Sequence, residues 1–138
     1  MNKFDEVYMK VIAEQAGAGE EKTNYTIQVE YLKDHGFKSK PDDSGYGVDW
    51  IKQQGNFQIV INLLGTNYIN RKNGDHAPTD CQIEAEVRYV KTISGAVLFS
   101  IGGAYHRDEV ITSANEAVSK CAAFIGSLKS EIEGLEAW

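Results

Sequence analysis

The sequence predicts a single α+β domain: an antiparallel sheet of about four strands, with a C-terminal helix and an N-terminal helix packed on one face. Three observations carry that prediction. Apolar residues alternate strictly in several short runs, the pattern of half-buried strands. One long segment near the C-terminus carries an apolar stripe at helical spacing behind a capping signal. The 138 residues, 42% hydrophobic and 25% charged, suit one domain with a single core and no need of metals or disulfides.

Residues 3–14 place Phe4, Val7, Tyr8, Val11 and Ile12 at spacings of three and four, one apolar face of a short helix. Residues 16–24 follow as a flexible linker, with Gly17 and Gly19 as breaks. The main domain then spans 25–138. Its first stretch is ambiguous. Tyr25, Ile27, Val29 and Tyr31 alternate as in a strand, yet His35-Gly36-Phe37 reads as a helix end with a left-handed glycine, and a helix ending at His35 is preferred. Residues 38–45 read as a polar loop holding Pro41.

Tyr46, Val48 and Trp50 alternate, and so do Phe57, Ile59, Ile61 and Leu63. With a turn over Gln53-Gln54-Gly55-Asn56 they predict a hairpin. Residues 66–81 read as a long loop containing Asn73-Gly74 and Pro78. Ile83, Ala85, Val87 and Tyr89 then alternate with Gln82, Glu84, Glu86 and Arg88, a strand with one charged face. Val97, Phe99 and Ile101 continue on the next strand, which loosens at Gly102-Gly103. Ser113 and Glu116 form a capping box. Behind it Ala114, Val118, Cys121, Ala122, Ile125, Leu128 and Ile132 make the stripe of a helix over about 114–132, with Ala117 and Phe124 on its flanks.

The net charge of −6, with no cluster of lysine and arginine, argues against nucleic acid or an anionic membrane as partner. The longest apolar runs are far shorter than a membrane span, and the N-terminal residues lack a secretory pattern, so a cytoplasmic or virion location is expected. Cys81 and Cys121 match no metal-ligand spacing and read as free thiols, Cys81 at the opening of a strand. No catalytic, cofactor or metal constellation emerges. His76 stands near Asp75, Asp80 and Cys81, but a solvated polar loop explains them. Asp42, Asp43 and Asp49 with Glu84 and Glu86 are the acid types of a metal-dependent nuclease. The lysine such enzymes carry two residues after the second acid is Arg88 here. The expected role is therefore non-enzymatic protein binding, without a cofactor. Asp42, Asp43, Glu84 and Glu86 would contact a basic partner, such as a toxin or defence enzyme covered by an acidic inhibitor.

Two segments resemble known families. Met1-Asn2-Lys3-Phe4-Asp5-Glu6, running to Ile12-Ala13-Glu14, resembles the N-terminal capsid-targeting peptide of T4-like phage internal head proteins. That resemblance implies a virion-associated or accessory phage protein, with a processing site at Ile12, Ala13 and Glu14 and the cut before Gln15. Residues 27–132, through Gly36-Phe37 and Thr92-Ile93-Ser94-Gly95-Ala96-Val97-Leu98, are similar to bacterial envelope domains of the LPP20 and curli-secretion type. Here Ser94 is an insertion and the lipidation cysteine is missing.

Overall fold

In the computed structural model, residues 23–70, 76–90, 95–103 and 106–131 are described. They form helix α1 (Asn24–Asp34), strands β1 (Lys38–Pro41), β2 (Gly47–Gln54), β3 (Phe57–Asn70), β4 (His76–Tyr89) and β5 (Val97–Ile101), and helix α2 (Ala114–Glu131). The five strands form one antiparallel sheet in the order β1-β2-β3-β4-β5, each strand pairing with its neighbour in sequence. Both helices pack on one face, so the α+β class holds, with five strands rather than four.

α1 is a helix, and its ends show why. The Thr23 side chain accepts from the Thr26 N–H as N-cap. At the other end the Phe37 N–H donates to the Leu32 carbonyl and the Gly36 N–H to the Lys33 carbonyl, with Gly36 at φ +84. That is the Schellman arrangement, which needs a left-handed residue after the cap. Thr23 and Asn24, expected in the linker over 16–24, instead cap and open α1. Residues 1–22 lie outside the described residues.

Two segments expected as loops are strands. Residues 38–41, part of the polar loop over 38–45, pair with β2 from Lys38↔Ile51 to Pro41↔Val48. Of the loop expected over 66–81, residues 66–70 and 76–81 are instead the outer parts of the long strands β3 and β4, in which Thr66 pairs with Asp80 and Asn70 with His76. Asn67 interrupts this pairing at φ +53, and the Thr79 hydroxyl donates to its carbonyl at 2.7 Å. Asn73-Gly74 lies outside the described residues. Cys81 consequently sits mid-strand in β4 rather than at its start. The turn between β2 and β3 is as expected: Gln54 pairs with Phe57, leaving Gly55-Asn56 as a two-residue loop.

The core lies between the sheet and the helices. Trp50 of β2, Ile59, Ile61 and Leu63 of β3, and Val87 of β4 face it, with Val29 and Leu32 of α1 opposite. α2 presents Ala114, Ala117, Cys121 and Ile125, all buried; the first three are small, so the helix approaches closely. Ala117, expected on the flank, is central to this face, whereas Ala122 is exposed. Ile132 lies outside the described residues. Phe124 stacks on Phe99 of β5 with ring centroids 4.7 Å apart.

One buried polar contact joins the helices. The Gln28 amide oxygen of α1 accepts from the Ala114 N–H at 2.7 Å, satisfying a first-turn donor of α2. The Ser113 hydroxyl accepts from the Glu116 N–H at 3.1 Å, which is half of the capping box. The Glu116 carboxylate turns one residue further back, to the Thr112 N–H at 3.1 Å and hydroxyl at 2.9 Å.

An acidic groove on the open face of the sheet

Strand alternation sends every second residue away from the helices. Register then aligns those residues across the sheet in rows. Asp49, Asn62 and Glu84 lie side by side on β2, β3 and β4, and the next row is Ile51, Val60, Glu86 and Ser100. The third runs Gln53, Gln58, Arg88 and Val97. A bulge at Val87/Arg88 shifts β5 by one residue, placing Val97 opposite Arg88.

Of these rows, Asp49, Asn62, Glu84, Val60, Glu86, Ser100, Arg88 and Val97 floor a groove of about 550 Å³, walled on one side by Asp42, Asp43 and Ser44 and on the other by Gly102 and His106. All five carboxylates weighed in the sequence, Asp42, Asp43, Asp49, Glu84 and Glu86, line it. Sheet register brings residues more than 30 positions apart into one site.

Asn62, absent from the sequence reading, is the centre of the acidic end. Its side-chain amide donates to Asp42 Oδ2 at 2.9 Å and to Asp49 Oδ1 at 3.0 Å. One neutral group thereby holds two carboxylates together. Asp42 Oδ1 organises its own loop, accepting from the Ser44 hydroxyl at 2.6 Å and from the N–H groups of Ser44 and Gly45 at 3.0 Å. The Ser44 hydroxyl foremost, with Asn62 and the N–H groups of Gly47 and Gly45, holds the Asp42 carboxyl below the ordinary carboxylate range, against burial, the second-largest influence, which raises it. Arg88 pairs with Glu86, leaving the other acids unneutralised by it.

The Asp42 loop should therefore be sensitive to acid. A depressed carboxyl stabilises the fold fully above its unfolded pKa of ~3.9, and that contribution is lost as pH falls through the lower folded value. Hydrogen exchange at Gly45 and Gly47 is expected to quicken below pH ~4 relative to the sheet. Asp42→Ala is expected to show fast exchange there at every pH.

Ser100 Oγ lies 3.0 Å from His106 Nε2 at the far end. A hydroxyl beside an imidazole is a nucleophile–base pair in kind. Here it sits in a groove lined by five carboxylates, whose field opposes the oxyanion that acyl transfer must build. The arrangement is better suited to holding a cation. Among the described residues no group of three His, Cys, Asp or Glu side chains is placed to hold a metal. The two thiols are free: burial, foremost, pushes Cys81 up to about 11 and Cys121 up to about 12.

The docking face expected at Phe4, Val7, Tyr8, Val11 and Ile12, and the processing site at Ile12, Ala13 and Glu14, lie outside the described residues. If they form a detachable segment, removing residues 1–14 leaves the melting temperature unchanged in a thermal scan; if they pack on the domain, it falls.

Comparison with protein-family models, with curated proteins and with solved structures finds no match to this chain. Among the described residues no helix is long and apolar enough to cross a membrane.

Proposed function

We infer that this protein is a non-enzymatic binding protein whose open sheet face covers a basic surface of another protein. The observation that carries the reading is the convergence of Asp42, Asp49, Glu84 and Glu86 on one groove, with Asn62 holding the first two in place. Clustered carboxylates of one sign steer a cationic partner and set its orientation. An inhibitor or immunity protein acting on a basic toxin or defence enzyme fits this chemistry. The phage-accessory reading rests on residues 1–15 and is compatible with it.

The test is a titration with a fluorescent arginine-rich peptide. Binding is expected to weaken steeply between 50 and 300 mM salt, as the Debye length that screens ion pairing at an exposed face shrinks from roughly 14 Å to roughly 6 Å. The double variant Asp49→Asn, Glu84→Gln is expected to lose at least tenfold in affinity, about 1.4 kcal/mol or more. Equal affinity of wild type and variant would overturn the reading.

A further inference from the structure

The two edges of the sheet are built differently. β1 reads Lys-Ser-Lys-Pro, with two charges and a residue that has no N–H to offer. Those are the devices by which proteins block strand addition. β5 reads Val-Leu-Phe-Ser-Ile, without a charge or a proline, and its Val97 and Leu98 are 52% and 41% exposed. Among the described residues it pairs with β4 alone, so alternate N–H and C=O groups along its outer edge face away from the sheet.

This open edge borders the acidic groove. Register sets Ser100 of β5 beside Glu86 of β4. Two residues on, Gly102 lies against Glu84: a Cβ on Gly102 would come within 3.3 Å of the Glu84 Cα. On the groove side of this edge stand the Ser100 hydroxymethyl, whose Oγ lies 3.0 Å from His106 Nε2, and the pair Gly102-Gly103, where the Glu84 carboxylate lies against Gly103. A strand added beside β5 would stand ~5 Å from it and ~10 Å from β4. An arginine or lysine on that strand spans most of this distance, and the glutamate side chain covers the rest.

The geometry points to β5 as a docking edge for an extended basic segment of a partner protein, added as a sixth strand, with basic residues at alternate positions reaching over Ser100 and Gly102 to Glu86 and Glu84. The residue between them falls on the other face, opposite Ile101 and next to Phe99 with its stacked partner Phe124, and is apolar. The recognised pattern is basic-apolar-basic. Charge selects this occupant over a second copy, because pairing β5 with β5 would bring two such grooves together in chains that each carry a net charge of −6. The inference rests on the reading that the open face binds a basic partner, and it adds the mode of binding.

The experiment uses the full chain and a capped nine-residue peptide in which arginine alternates with valine. Two further peptides carry the same residues in separate blocks, or the alternating order with every second amide N-methylated. The alternating peptide is expected to bind at least tenfold more tightly than either control, and to slow amide exchange across Val97–Ile101 at least tenfold. Equal binding of all three with no protection at β5 would overturn the edge mode while leaving the acidic face as a binding surface. Failure of all three to bind would overturn both. A dimer in sedimentation, with β5 amides already protected in the absence of peptide, would assign the edge to a second copy and overturn the inference.

Discussion

Replacing Ile61 with alanine is expected to destabilise the protein by about 3–4 kcal/mol, because it leaves a cavity at the most enclosed point of the sheet. Ile61 is fully buried on the central strand β3, flanked by Trp50 on β2 and Ala85 on β4. A helix could slide inward over a cavity, but a strand hydrogen-bonded on both sides has little room to follow. The cost should therefore lie in the upper part of the range for large-to-small core changes. For a domain of this size the melting temperature would fall by roughly 10–15 °C. Ile69→Ala, on the same strand but 42% exposed, is the control and should shift stability by less than about 0.5 kcal/mol. Comparable losses from both variants in denaturant titrations would mean that the core is not centred where it is described.

The second large effect is expected at Gly102. Its φ is +79, and a Cβ there would come within 2.6 Å of the Ile83 carbonyl oxygen on β4. A valine thus meets two penalties at once, a left-handed backbone and a backbone atom that cannot move without breaking β4. Gly102→Val is expected to cost about 3 kcal/mol or more, and to loosen the end of β5 before the rest of the sheet. Gly55→Ala separates the two causes. Gly55 has φ +63 with nothing within 4 Å of its would-be Cβ, so only the backbone term applies, about 1–2 kcal/mol. Chemical denaturation of both variants checks the difference; equal losses would locate the whole cost at Gly102 in its dihedral angle.

What could be read from sequence, and what could not, follows from how each segment is covered. β2, β3 and the inner part of β4 face helices on one side and solvent on the other, so their hydropathy alternates plainly. α1 was ambiguous because its burial does not follow hydropathy. Thr26 and Gln28 are buried while Ile27 is 48% exposed. The Thr26 hydroxyl donates to the Thr23 carbonyl, and Gln28 bonds Asn24 and the first turn of α2, so both polar groups enter the interior with partners. β1 has no strand signal in the sequence because an edge strand guarded by lysines and a proline has the composition of a loop. The outer parts of β3 and β4 were missed for a related reason. Pro78 belongs to a part of β4 that lies beyond β5, where a missing N–H interrupts no ladder on that side.

The groove was legible in part. The acids of β4 announce a charged face through simple alternation. Their meeting with Asp42 and Asp49 depends on which strand pairs with which, and single-strand patterns do not carry that information. Asn62 and the Ser100–His106 contact left no signal, since one polar residue in an apolar strand and a serine six positions from a histidine are both common.

The order of strands in the sheet is also the order of strands along the chain, and this has a kinetic consequence. Each β-hairpin can close from residues that are near in sequence, a step that takes microseconds in isolated peptides. The sheet can therefore grow as the chain leaves the ribosome. α1 is different: it emerges before the sheet, yet it packs on β4 and α2, and the Gln28 contact to Ala114 spans 86 residues. Val29 and Leu32 must wait, uncovered, until most of the chain has been made. The slow step of folding is then expected to be the docking of the two helices on a sheet already formed, a closure between the two ends of the domain.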